Sequence, residues 1–260
     1  MRVLLTNDDG FGAVGLLTAW RALTGAGHQV TVCAPDGERS ATSQAVTIRK
    51  PIAVKTLPLP DGSLGYAIDG TPADCARLGF TTLAPEPVEL VVSGINNDTN
   101  LGYDVNYSGT VAAALEAAGA GLPALAVSLE RSSSADWPLA GEILLAVVAE
   151  LTGWEIPVGV ALSLNIPSQP QDRRPIWAPP QRWPAPDFYS QRTLADGTCL
   201  YLRERADPLS LEEEPGCDVA LVRAGYVTLT PLTPAGGHQP TLSRLGSGDK
   251  PRLSRGQKSL

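Results

Sequence analysis

Two adjacent carboxylates, Asp8 and Asp9, follow a short apolar run, Val3-Leu4-Leu5, with only Thr6 and Asn7 between. Like charges this close repel, and something must offset them. Carboxylate oxygens suit a hard cation such as Mg²⁺, Mn²⁺ or Ca²⁺. The string Asn7-Asp8-Asp9-Gly10 also has the residue types of a turn, so the pair alone leaves both readings open. A second candidate is Ser108-Gly109-Thr110, just ahead of the Ala-rich stretch Val111–Ala118. There a helix N-terminus would offer backbone N–H groups and two hydroxyls, an anion site that suits phosphate. Capping by Ser108 would use the same residues, but capping does not need a glycine that admits close backbone approach. A phosphate facing Asp8 and Asp9 would be repelled. A divalent metal between them removes that conflict and polarises the phosphoryl group.

Other chemistries find little support. His28 precedes the second expected strand and so falls at the opposite sheet edge, and His238 sits beside a basic tail. No G-x-S-x-G elbow and no G-x-x-x-x-G-K-[ST] loop occurs. Gly10-Phe11-Gly12 is half of a dinucleotide fingerprint, and the acid pair before it is a poor place for a pyrophosphate. Cys33, Cys75, Cys199 and Cys217 are far apart with no C-x-x-C pair, which matches neither zinc nor a disulfide framework.

These residues need elements to place them. Val3–Leu5 reads as a buried strand, residues 13–25 as a helix with Leu16, Leu17, Trp20 and Leu23 on one face, and Gln29–Ala34 as a second strand. This is a βαβ unit with a right-handed crossover. Short runs from Val46 to Ile68 predict a small antiparallel excursion. Thr71-Pro72-Ala73-Asp74 opens a helix, with Thr71 as N-cap. Val88–Val92 is a buried strand, Ser93–Tyr107 a fifteen-residue polar loop, Pro123–Leu129 a strand, Trp137–Leu151 a helix and Val158–Leu164 a strand. Loops that long are uncommon unless functional. Residues 167–187 hold seven prolines and predict an extended arm that packs on another subunit. Thr198–Arg203 and Tyr226–Leu232 alternate like strands. In an open parallel sheet, ligands bind beyond the carboxyl ends of the strands. The turn at Asn7–Gly10, the loop Asp36–Ser43 and the loop Ser93–Tyr107 should therefore converge on one edge.

Composition limits the partners. The formal charge is −7, so a nucleic-acid polymer is not an expected ligand. Residues 241–260 run against this, with five Lys/Arg and one Asp, and read as a disordered basic tail. Hydrophobic residues make up 43% of the chain, enough for a core, yet only 5% are aromatic, so that core is mainly Leu, Val and Ala. No apolar stretch reaches the ~20 residues of a membrane helix. A strand from residue 2 leaves no expected leader. The expectation is a cytoplasmic protein without membrane contact.

Several motifs together resemble the SurE family, the stationary-phase survival proteins that act as 5′/3′-nucleotidases. They are Leu4-Leu5-Thr6-Asn7-Asp8-Asp9-Gly10, Ala34-Pro35-Asp36 with Arg39-Ser40, and Asp69-Gly70-Thr71-Pro72-Ala73-Asp74. Ser93-Gly94-Ile95-Asn96, Asn100-Leu101-Gly102, Asp104–Val111 and Gly225–Leu232 complete the set. Three stretches depart from the family pattern. Phe11-Gly12-Ala13-Val14-Gly15 stands for the more usual Ile-His-Ala-Pro-Gly. Asn97-Asp98-Thr99 carries an acid where the family usually has a small or basic residue. The segment from Arg173 to Trp177 matches the family's arm poorly.

The resemblance implies an α/β fold, a Rossmann-like sandwich with a mainly parallel sheet, a β-hairpin excursion and an extended C-terminal arm. Residues 1–240 would form one such domain, with 165–232 as the exchanged arm and closing strands. One divalent metal ion per subunit, Mg²⁺ or Mn²⁺, would bind Asp8, Asp9, Ser40 and Asn96. Asn96, Ser108, Gly109 and Thr110 would hold the phosphate. The implied enzyme is an acid-type phosphatase, a phosphoric monoester hydrolase. It would cleave nucleoside monophosphates and also short polyphosphate, as a homodimer or homotetramer. Asp8 or Asp9 would act as base for an attacking water. An aspartyl-phosphate route with Asp8 as nucleophile, and a silent metal- or nucleotide-binding module, are the alternatives.

Overall fold

The structure is a computed structural model that describes residues 1–151, 153, 156–182, 187–205 and 214–234. The basic tail at 241–260 and His238 lie outside the described residues.

The chain opens with β1 (Arg2–Thr6), α1 (Val14–Gly25) and β2 (Gln29–Pro35), the expected βαβ unit. An antiparallel pair follows, β3 (Val54–Pro58) and β4 (Leu64–Ile68). This is the expected antiparallel hairpin, and β4 also pairs in parallel with β2, which joins it to the main sheet. Residues 46–48 are not a strand, and the Thr47 N–H instead donates to the Asp74 carboxylate at 3.0 Å. That carboxylate belongs to α2 (Pro72–Leu78), whose N-cap Thr71 forms a capping box with Asp74.

Next come β5 (Leu90–Asn96), α3 (Gly109–Gly119), β6 (Ala124–Leu129), α4 (Trp137–Leu151) and β7 (Ala161–Ile166). Strand β5 overturns part of the loop reading. Ser93–Asn96 continue the strand, pairing with β1 and β6, and a 3₁₀ turn occupies Gly102–Asn106. Ser93 and Gly94 are small enough to be buried there despite their polarity. Strand β7 starts three residues later than expected, leaving Val158 exposed.

Part of the proline-rich stretch forms a strand. Its Asp172–Trp177 segment, β8, joins the main sheet beside β11 (Tyr226–Leu232). Between them lie β9 (Asp187–Thr193) and β10 (Cys199–Arg205), paired as a two-stranded hairpin apart from the main sheet, and α5 (Asp218–Arg223). The large sheet runs β3-β4-β2-β1-β5-β6-β7-β11-β8. Strands β4 to β7 in that order are parallel, and β3, β11 and β8 run the other way.

Alternation along β1 explains the two faces. Val3 and Leu5 point into a core with Leu16 and Leu23 of α1 and Ile143 and Leu144 of α4. Leu4 points the other way, into a core with Cys33, Cys75 of α2, and Val111, Ala114 and Ala118 of α3. Helix α3 is built almost wholly of small residues, and nine of its residues are buried, so it lies very close to the sheet. Cys33 is a core residue as expected, and all four thiols are free. Among the described residues, no helix is long and apolar enough to cross a membrane.

Candidate active site

Strand order sets the location. From β1 the chain moves outward to β2 and β4, then returns to add β5 on the other side of β1. The crevice beyond the carboxyl ends of β1 and β5 is therefore a topological switch point, where open α/β sheets bind ligands. The turn after β1 supplies Asp8 and Asp9, and the last residue of β5 is Asn96.

The turn is shaped by its own residues. Asn7 brackets it: its amide donates to the Gly10 carbonyl at 3.0 Å, and its oxygen accepts from the Gly10 N–H at 3.2 Å. Gly10 has φ +103°, in the left-handed region, and a Cβ there would lie 3.1 Å from the Gly37 backbone. Asp8 is only 4% exposed. The Thr110 hydroxyl donates to its carboxylate in a short hydrogen bond, and the Thr110 N–H adds to it. A Cβ on Gly109 would stand 2.8 Å from Asp8 Cβ, so the glycine is what lets the α3 N-terminus reach the acid. The anion seated on that helix end is thus Asp8 itself. Ser108 caps α3, its oxygen accepting from the Val111 N–H at 3.1 Å.

Burial pushes the Asp8 carboxyl up to about 6, with Asp9 adding to the rise and Thr110 opposing it. Burial also raises Asp9, while the Asn97 N–H, 3.2 Å from its Oδ2, and the charge of Arg131 pull it back. Both shifts mark acids that gain from a cation.

Asp8, Asp9, Ser40, Asn96 and Ser108 line one cleft of about 570 Å³. Gly109 and Thr110 stand behind it, against Asp8. The Asn96 amide donates to the Asp98 carbonyl at 2.8 Å, so its oxygen is the atom that can meet a cation. The Ser40 hydroxyl donates to Glu38 at 2.7 Å. Its loop is held in an uncommon backbone shape, with Ala41 and Ser43 at φ +57° and +52°. Ser43 clamps it to the far side of the cleft through the Tyr107 and Asn106 carbonyls, at 3.1 and 2.7 Å. Among the described residues no three His, Cys, Asp or Glu side chains gather at one point. A metal here would draw on the aspartate pair and neutral oxygens, a donor set that fits a hard cation.

The family model for the survival protein SurE matches residues 3–179. The chain belongs to the SurE family. It is 39% identical over 235 residues to a protein of Pelotomaculum thermopropionicum named 5′-nucleotidase SurE, covering 89% of each chain. A protein of the same name from Synechococcus elongatus is 39% identical over 256 residues, covering 94% of this chain and 98% of its own. The crystal structure of the SurE protein from Aquifex aeolicus superposes with a TM-score of 0.79 at 27% identity, covering 96% of this chain and all of the other. The SurE fold and the mixed α/β sheet expected from sequence are therefore both present.

Sequence reasoning missed the residues that support this SurE cleft from below. Asn165, at the end of β7, accepts from the Asn100 N–H at 2.8 Å and donates to the Asn100 carbonyl at 3.1 Å. Asp218, fully buried, accepts from the N–H groups of Gly102 at 2.7 Å and Gln181 at 2.9 Å. Together they pin both ends of the segment that carries Leu101. Asn165 could have been found, since it is polar at a strand's carboxyl end. Asp218→Ala would leave three backbone N–H groups, those of Gly102, Gln181 and Val219, without their acceptor. It is expected to cost about 2–4 kcal/mol, read as a lower midpoint in thermal denaturation, and an unchanged midpoint would refute the role.

Proposed function

We propose that the chain is a metal-dependent phosphomonoesterase that hydrolyses nucleoside monophosphates to nucleoside and phosphate. The observation that carries this is the acid pair at the β1–β5 switch point, in a SurE chain whose relatives bear the name 5′-nucleotidase. Asp8, Asp9, Ser40 and Asn96 are the residues proposed to hold the metal, with Mg²⁺ or Mn²⁺ as the fitting ions. When bound, such an ion supplies a positive charge that polarises the phosphoryl group and offsets the acid pair.

The protein's own groups do the rest. The Thr110 hydroxyl fixes the Asp8 carboxylate in one orientation. Asp9 is more open to the cleft and takes the proton of the attacking water in this reading. Asp8 as nucleophile is less favoured, because burial and Thr110 leave its oxygens little approach. Ser108 and the Asn96 side are the proposed phosphate contacts, with Gly109 and Thr110 acting from behind through the helix end. Short polyphosphate carries the same phosphoryl chemistry and is a candidate second substrate.

Residues 1–240 are read as one unit, placed in the cytoplasm in keeping with three buried free thiols. The β9–β10 hairpin exposes Phe188, Tyr189, Leu200, Tyr201 and Leu202. This supports assembly through the C-terminal region as a homodimer or homotetramer.

The test is a panel of 5′- and 3′-nucleotides and short polyphosphate, run with Mg²⁺, with Mn²⁺ and with chelator. Phosphate release is expected with metal, falling at least ~100-fold on chelation. Equal release with and without chelator, or none with any substrate, would overturn the reading.

A further inference from the structure

The cleft holds more negative charge than the metal site requires. Asp8, Asp9, Asp98, Asp104 and Glu130 all line it, and among the described residues its only lysine or arginine is Arg131. A phosphomonoester enters as an anion, so this cation stands out on charge alone.

Arg131 is also well placed. It follows β6, the neighbour of β5, and its Nε donates to the Asn97 carbonyl at 3.1 Å. The N–H of the same Asn97 donates to Asp9 Oδ2 at 3.2 Å. One residue therefore links the guanidinium to the acid pair. The remaining partner is Asp98, whose Oδ2 lies 3.6 Å from Arg131 Nε.

The strength of that pair decides how it can be used. The side chains are 54% and 69% exposed, and ion pairs so open to water are weak. A guanidinium and a phosphate form a stronger, two-pronged contact. An arriving phosphate can therefore take the guanidinium from Asp98 at little cost. We propose that Arg131 is a substrate-phosphate binding residue in this cleft and that Asp98 is the anion that holds it when the cleft is empty. The inference rests on the phosphomonoesterase reading for its substrate. It assigns the contact that sets affinity, rather than the acid pair that does the chemistry.

The two residues make opposite predictions. Arg131→Ala removes the phosphate contact, so KM for a nucleoside monophosphate should rise about tenfold with kcat changed less than about threefold. Arg131→Lys should recover part of that loss, because it keeps the charge and loses the fork. Asp98→Asn removes the competing anion, so KM should fall about two- to threefold. If the pair only braced the loop, both changes would loosen it and KM would move the same way in each. Same-direction shifts, or an unchanged KM in Arg131→Ala, overturn the proposal.

Calorimetric binding of inorganic phosphate to the Mg²⁺-loaded proteins reads the contact without turnover. The expected order of affinity is Asp98→Asn, then wild type, then Arg131→Ala. If the wild type binds phosphate in that order but hydrolyses nothing, the enzymatic reading fails and this one stands. If it does not bind phosphate, or if the order is reversed, the proposal is wrong whatever the activity.

Discussion

Asp8→Asn is expected to abolish catalysis and yet make the metal-free protein more stable at neutral pH. The amide has nearly the volume of the carboxylate, and its oxygen can still accept from the Thr110 hydroxyl. The charge that would meet a cation is gone, so kcat/KM should drop at least ~1000-fold. The stability gain follows from linkage. Burial raises the Asp8 carboxyl from 3.8 to about 6 in the folded chain. The folded state then binds the proton more tightly than the unfolded state. Stability is highest below the unfolded value, falls as pH rises towards about 6, and is level above it. The loss is on the order of 3 kcal/mol for this single group. Asn has no proton to lose and escapes it. Urea denaturation of chelated wild type and variant at pH 4 and pH 7 should show the gap opening only at the higher pH. Added Mg²⁺ should close it for the wild type alone. A variant that is less stable at pH 7, or fully active, would refute the account.

Gly15→Ala should be among the most damaging glycine-to-alanine changes at the described residues. Gly15 is buried in the first turn of α1. A Cβ there would stand 1.8 Å from the Ile95 carbonyl oxygen and 2.9 Å from the Trp137 ring. The nearer obstacle is backbone, so no rotamer change relieves it. Helix α1 must lift from β5, or the end of β5 must move, and Asn96 is the next residue. The expected cost is about 3–5 kcal/mol, with activity falling alongside the thermal midpoint. Gly12→Ala is the control, since nothing lies within 4 Å of its added methyl. Equal midpoints for Gly15→Ala and wild type would show that the contact yields more easily than the packing implies.

Much of this molecule was legible because local pattern and tertiary need agreed. Helix α4 and strand β11 fall at their expected bounds, where apolar spacing is regular and long. The loop reading of Ser93–Asn96 went wrong because small polar residues there are buried as strand, which hydropathy cannot reveal. The six-residue α5 is too short to show a period. At the site, Asp8 and Asp9 announced their chemistry by adjacency. The switch point did not, because it depends on which side of β1 the distant β5 adds. Nor did Asp218, whose partner Gly102 is 116 residues away. Gly109 could be read as permitting close approach, but not that the group approaching would be Asp8.

Helix α3 bears on how this enzyme can change over generations. Its small residues leave no slack between the helix and the sheet, and its first turn is what grips Asp8. A larger side chain almost anywhere along it would shift the acid, so the helix should tolerate little variation although it lends few groups to the cleft. The rim at Asn97–Thr99 and around Arg131 is open to solvent and bears no such load. Laboratory evolution towards new phosphorylated substrates should therefore accumulate its changes on that rim. The acid pair and the helix behind it would stay constant while the range of accepted substrates drifts.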